Sequence, residues 1–339
     1  MAYFNGPAPD DAVLDHPRVV RRPLGREPVR GLRWQEGRVP AAAREDRLDV
    51  FFAPAYACPL ALEIPRVTTV HDMSFFSLPD DFTLLDGMRR RATVGPSIAA
   101  SRRVLAVSDF TRREIAAHFP AAADRIVVTP HGADDDLAPP PPREEARARL
   151  GLRGPMVLTV GTILNRRCLL VLFHAVARLR RAWPDLTLDV VGENRTHPSL
   201  DLPALARRAG LAEHVRLSGF VDEAALADRY AAADACVVLS EYEGFGLPAL
   251  EAMARGVPVV TSTRPALSEV FGEAALLVDP RDAPAVALAL DRVLRDDDLR
   301  ASLVARGRAL AARHSWRECA RLTREALTPS PPPPRALRG

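Results

Sequence analysis

Lysine is absent from this chain of 339 residues, so all 46 of its basic side chains are arginines. Chemistry that runs through a lysine Schiff base is thereby excluded. Cysteine is scarce. Cys58, Cys168, Cys236 and Cys319 are scattered, without the paired spacing of a metal site, and read as reduced, packed thiols of a cytosolic protein. No apolar run approaches the roughly 18 residues of a membrane span. The opening MAYFNGPAPDD lacks the basic and apolar segments of a secretory signal. There is no long basic block, and the net charge is only +3, which does not suit a nucleic-acid binder. What is present is an ordinary globular balance, 47% hydrophobic and 26% charged, in a length that suits two domains.

The second half of the chain alternates strand and helix patterns. Apolar strands are predicted at 156–162, 186–193, 215–221, 235–240, 258–262 and 274–279. Helices are predicted between them at 169–183, 202–210, 223–233 and 248–256, with a helical end over 283–327. Such alternation implies parallel sheets with helices on both faces, a doubly wound α/β architecture. The first half repeats the pattern less clearly, with strands at 48–54, 66–72, 103–109 and 125–132 and helices at 86–100 and 110–118. A proline run in 136–155 cannot join a sheet or a helix interior, so this segment reads as a linker holding one short helix. The domains expected are therefore 1–135 and 156–327, followed by a disordered proline-rich tail at 328–339. Ligands of such folds bind in the crevice at the carboxyl ends of the strands.

One stretch carries most of the chemistry: EYEGFGLPALEAMARGVPVV, residues 241–260. A strand ends near Ser240 and a helix starts near Pro248, a favoured first-turn residue. Gly244 and Gly246 strip side chains from the turn, so a ligand can approach the backbone amides directly. The helix start adds a partial positive field suited to phosphate. Glu243 at the strand end is placed to accept from sugar hydroxyls, and Glu251 one turn into the helix to hold a vicinal diol. The alternatives are a solvated Glu251–Arg255 pair at i, i+4 and a plain loop charge at Glu243. The bare Gly-Phe-Gly-Leu-Pro between the acids favours the ligand reading.

This stretch resembles the signature of the GT-B nucleotide-sugar glycosyltransferases of the large retaining family 4. VGTILNRRCLLVLFHAVARL resembles the family's donor-phosphate segment, and VHDMSFFSLPDDF, AVSDFTRREI, RIVVTPHGAD, GFVDEAALADRYAAADACVVLS and PALSEVFGEAALLVDPRD stand in the expected order over roughly residues 48–326. The resemblance implies a fold of two Rossmann-like domains facing a cleft. It implies that Gly161 and Thr162 line the donor-phosphate loop and that Arg166 and Arg167 neutralise the diphosphate, arginine being a planar, permanently charged phosphate ligand. Arg167 stands where the family usually has lysine and Cys168 where it has asparagine. Glu243 would meet the donor sugar, Glu251 the ribose, and the amides near Phe245, Gly246 and Leu247 the sugar or phosphate oxygens. His71 would face the reaction centre from the other domain, giving a catalytic set of His71, Arg166 and Glu243. Asp72, Ser108, Arg112 and Glu269 are candidate cleft residues, with helix caps or surface pairs as their alternative.

The implied reaction transfers a hexose from a nucleotide-diphosphate sugar, with mannose from GDP-mannose favoured, to a saccharide or lipid-linked acceptor in surface polysaccharide synthesis. No cofactor and no metal is implied; the aspartates at 134–136 and 296–298 read as loop and helix-end charge. A lipid-linked acceptor implies transient contact with the cytoplasmic membrane face, which arginine-rich stretches such as MRRRA would aid. One departure stands out. AYFNGPAPDD resembles the family's second strand, so the first strand–helix unit and its glycine-rich loop are expected to be missing. That raises a second reading, an impaired GT-B protein that binds nucleotide sugar or assembly partners. A phosphorylase is excluded by the absence of lysine.

Overall fold

The computed structural model describes residues 1–25, 31, 33–133 and 140–328. The expected tail beyond Thr328 and the start of the proline-rich linker lie outside the described residues.

The amino-terminal half opens with two short parallel strands, β1 (Ala2–Phe4) and β2 (Arg21–Pro23). A π-helical turn at Arg33–Arg38 runs into α1 (Val39–Glu45). Neither β2 nor α1 is evident in the sequence pattern. Arg-Arg-Pro is a poor strand composition, and Pro40 looks like a helix breaker until it is placed in the first turn, where no amide hydrogen is needed. The main sheet follows, four parallel strands in the order β3 (Phe51–Ala53), β4 (Arg66–Val70), β5 (Arg103–Ala106), β6 (Ile126–Val128). Its helices are α2 (Ser74–Ser77), α3 (Leu84–Ala100) and α4 (Asp109–His118). The β1–β2 pair and this sheet are separate. Between β1 and β3 lies an apolar slot of about 590 Å³, lined by Tyr3, Trp34, Phe51, Phe52, Pro54 and Leu327 among others.

After α5 (Arg143–Arg149), the short helix expected in the linker, the carboxy-terminal half forms one continuous parallel sheet. Its strands are β7 (Met156–Val160), β8 (Thr187–Val191), β9 (Val215–Ser218), β10 (Ala235–Val238), β11 (Val259–Ser262) and β12 (Leu276–Val278). They alternate with α6 (Leu169–Leu179), α7 (Leu202–Arg208), α8 (Glu223–Ala232), α9 (Leu247–Ala254) and α10 (Pro265–Phe271). The order is β12-β11-β10-β7-β8-β9. From β7 the chain builds outward through β8, then returns to β10 on the other side, so a crevice opens between the carboxyl ends of β7 and β10. Both strands are almost wholly apolar because helices cover both faces.

The helical end divides into α11 (Ala283–Arg295), α12 (Asp297–Arg313) and α13 (Trp316–Leu327). Asp296 and Ser315 start the last two by accepting from the Leu299 and Glu318 amides. One boundary needs correction. α13 does not stay with the carboxy-terminal half: Ala326 and Leu327 pack with Val67 and Leu105 of the first sheet. Arg102 fixes that end by donating to the carbonyls of Ala326, Leu327 and Thr328. Tyr242 ties the halves in the other direction. It is buried in the cluster of Val70, Met73 and Phe75, accepts from the Met73 amide at 3.2 Å and donates to Glu114 at 3.1 Å. Among the described residues no helix is long and apolar enough to cross a membrane. The arginines of MRRRA are engaged locally: Arg89 and Arg90 bind Asp86, and Arg91 binds the Phe75 carbonyl.

Candidate active site

β7 stops at Val160, and Gly161 follows with φ +116°, a conformation that L side chains avoid. A Cβ there would also lie 2.4 Å from Nη1 of Arg167. Thr162, half-buried, leads to a 3-10 turn at Asn165–Arg167 that turns both arginines inward. Arg167 donates from Nη1 to the Val160 carbonyl at 3.0 Å, and its Nη2 lies 3.2 Å from Oε1 of Glu243. Nη2 of Arg166 is 3.8 Å from Oδ2 of Asp72 in the other half. The side chains of Arg166 and Arg167 are only 10% and 19% exposed, yet the Nε of each is buried without a hydrogen-bond partner. Unmet donors on two buried cations call for an anion, and two planar forks side by side match the oxygens of a diphosphate. Cys168 ends the turn in the left-handed region at φ 49°, where asparagine is better tolerated. Burial pushes its thiol up to about 12, so it stays neutral. Nothing in the structure replaces the amide that asparagine would supply there.

The loop after β10 is laced to this turn. Glu241 donates its amide, and Ser240 its hydroxyl, to the Arg166 carbonyl. The two glycines of the following turn meet different demands. A Cβ on Gly244 would sit 1.6 Å from the His71 carbonyl oxygen, so only glycine lets the halves touch here. The Gly244 carbonyl accepts from Ser108 Oγ at 2.6 Å and Thr111 Oγ1 at 3.3 Å. Gly246 takes φ +99°, and a Cβ would lie 2.4 Å from Leu267. α9 then starts at Leu247 with Pro248 in its first turn and no side-chain cap, leaving a positive helix end at the glycine turn. Phe245 is buried, its ring packed on His131, Phe271 and His314. Glu251 accepts from the Tyr230 hydroxyl at 3.1 Å, and the Arg255 guanidinium sits 4.8 Å above the Tyr230 ring.

From the amino-terminal half, Asp72 accepts from the Ser74 amide and hydroxyl through Oδ1 and from Tyr56 through Oδ2, which also faces Arg166. His71 has both ring nitrogens occupied, Nε2 at 2.9 Å from the Pro54 carbonyl and Nδ1 at 3.2 Å from Nε2 of His131. Burial, helped by the nearby His71, lowers the pKa of His131 to about 4. Ser108 caps α4 and crosses to Gly244. Arg112 takes the surface-pair alternative, directing its guanidinium to Asp109 at i, i+3. Glu269 caps no helix; it bonds Arg113 across the two halves. With Ser108 and Phe245 it lines a separate cavity of about 620 Å³ that Arg166, Arg167 and Glu243 do not reach. The sequence reading assigned no role to His131, Tyr242 or Asp81. Asp81 lies beside Arg166 with a buried, unpartnered Oδ2; burial raises its pKa and Arg166 opposes the rise. His131 and Asp81 stand within PHG and LPDDF, segments that contributed to the resemblance.

The family model described as glycosyl transferases group 1 matches residues 142–310, and that of glycosyltransferase family 4 matches residues 2–137. The chain is 34% identical over 332 residues to O-antigen chain mannosyltransferase B of Escherichia coli, covering 91% of this chain and 82% of that protein. It is also 34% identical over 276 residues to a D-inositol 3-phosphate glycosyltransferase of Xylanimonas cellulosilytica, covering 76% of this chain and 64% of the relative. In fold it is similar to Anabaena HepE, solved in complex with UDP-glucose, with a TM-score of 0.71 at 20% identity over 91% of this chain and 84% of that one. The paired sheets, the crevice between β7 and β10 and these matches agree: the chain belongs to the group 1 glycosyltransferases of the GT-B fold.

Proposed function

We propose that the protein transfers a hexosyl group from a nucleoside diphosphate sugar, with retention, to a saccharide or lipid-linked saccharide. The observation that carries this reading is the Arg166–Arg167 pair, buried, with unmet Nε donors, against the bare Gly244–Gly246 turn. In the reaction the bond from the anomeric carbon to the diphosphate oxygen breaks and a bond to the acceptor oxygen forms. The acceptor proton passes to the departing phosphate on the same face. Negative charge grows on that phosphate, and the arginines and the start of α9 are already aimed where it grows. Their fixed positive charge supplies what a metal would, so the reading needs no metal and no cofactor. Glu243, oriented by Arg167, holds the sugar hydroxyls; Glu251, oriented by Tyr230, holds the ribose.

Mannose from GDP-mannose is the donor this reading favours, in surface polysaccharide synthesis at the cytoplasmic face of a membrane. Its support is the likeness to the O-antigen mannosyltransferase; the likeness to inositol-phosphate enzymes weighs toward a small phosphorylated acceptor instead. The slot between β1 and β3 favours a second reading, a protein that binds the donor without turning it over. Thermal melts with GDP, UDP and ADP, followed by nucleotide release from the matching sugar donors, test these readings. A ligand that binds only the folded state raises its melting temperature. GDP is expected to give the largest shift, and GDP-mannose to release nucleotide only with an acceptor present. Binding without release supports the second reading; no shift with any nucleotide sinks both.

A further inference from the structure

We infer that His131 is a positioning residue for His71, holding its ring through an N–H···N hydrogen bond whose direction is set by the Pro54 carbonyl. The logic starts at that carbonyl, which can only accept. Nε2 of His71, 2.9 Å away, therefore carries a hydrogen. In a neutral imidazole the other nitrogen is then a bare acceptor. The hydrogen between the two rings, across 3.2 Å, accordingly belongs to Nε2 of His131. That leaves Nδ1 of His131 bare, and it is buried with no partner among the described residues. Reversing the bond would put a hydrogen on that nitrogen with nothing to receive it, a buried unsatisfied donor. The depressed pKa of His131 agrees with a ring that stays neutral.

His131 is itself held so that it cannot follow a moving partner. Its ring is boxed by Phe245 at 5.4 Å and Trp316 at 5.2 Å, from the glycine turn and the start of α13. The backbone is fastened on both sides. The Thr129 amide donates to Ala106 at 2.8 Å and the Ala133 amide to His314 at 2.9 Å. Gly132 lies so close to α13 that a Cβ would be 2.0 Å from the Trp316 nitrogen. His131 thus presents a fixed donor assembled from both halves and the final helix. It acts on His71, which rests on the proposed function for its place at the transferred sugar. When Nε2 of His71 exchanges the Pro54 carbonyl for a sugar hydroxyl, the bond to His131 keeps the ring in plane.

The test uses the full chain labelled with ¹⁵N-histidine. Long-range ¹H–¹⁵N spectra are expected to show hydrogen on Nε2 of both rings, a bare Nδ1 on His131, and a ¹⁵N–¹⁵N coupling between Nδ1 of His71 and Nε2 of His131. Hydrogen on Nδ1 of His131 overturns the inference. This spectrum needs no donor, so it stands or falls independently of the glycosyl-transfer reading. The kinetic arm uses His131→Phe, which keeps a ring but loses the donor, and His131→Gln, which returns an N–H. Misplacing a reacting contact costs about tenfold to a hundredfold. His131→Phe should lose that much kcat at nearly unchanged donor KM, and His131→Gln should recover most of it. An unchanged kcat in the Phe variant, or no recovery with Gln, overturns the positioning role. If the Phe variant does not fold, the wild-type spectrum decides.

Discussion

The two sheets differ in continuity. The carboxy-terminal sheet is six strands without a break, and the loops at its crevice are bonded to one another through the Arg166 carbonyl and the Arg167–Glu243 pair. The amino-terminal sheet is four strands, with a detached pair across an apolar slot. Its site residues are oriented within that half, His71 by His131 and Asp72 by Tyr56 and Ser74, while Gly244 and Tyr242 of the other half brace it at Ser108 and Met73. One wall of the crevice is therefore pre-organised by its own sheet, and the other depends on contact with the first. A bilobal protein can place its charge chemistry on the rigid side and leave the other side to close over it.

The strongest way to probe the rigid wall is Arg166→Ala. Removing a pre-organised electrostatic contact of this kind costs about 10²–10³ in rate. The melting temperature should fall as well, because the largely buried guanidinium faces Asp72 at 3.8 Å and lies beside Asp81. Nucleotide release and a thermal melt on the same preparation check this; a full rate would move the diphosphate site elsewhere. Gly244→Ala strikes the join between the walls. The added methyl would meet the His71 carbonyl oxygen, and two backbones cannot yield as a flexible side chain does. We expect roughly tenfold or more loss of turnover, with a larger radius of gyration by small-angle scattering. A compact, fully active variant would show that the dependent wall does not need the contact. The smallest effect is in local stability. Amides of β3, beside the slot, should open at a lower free energy than those of β7, β8 and β10, by on the order of 2 kcal/mol. Native-state hydrogen exchange measures this, and equal protection would erase the contrast.

The same contrast governs what the sequence could show. β7, β8, β10 and β11 were readable because both faces are largely buried and apolar residues dominate each run. β2 and α1 were not, since Arg21–Pro23 and Pro40 look like breaks until their positions are seen. In the site, Gly161, Gly244, Gly246, Arg166 and Glu243 announce themselves because their constraints are local turns and strand ends. His131 and Tyr242 do not. Their decisive partners lie 60 and 169 residues away, at His71 and Met73, distances over which no periodicity carries information. For Glu269 and Arg112 motif order left a cleft ligand and a cap or surface pair both open, because it does not see the ion pairs with Arg113 and Asp109.

Tyr242 has a consequence for recombination. Its ring belongs by chain to the carboxy-terminal half and by packing to the amino-terminal half, one peptide bond from Glu243. A chimera that grafts either half onto a relative's counterpart must therefore import the matching residue or its socket of Val70, Met73 and Phe75. Exchange of whole halves between relatives is constrained at this side chain.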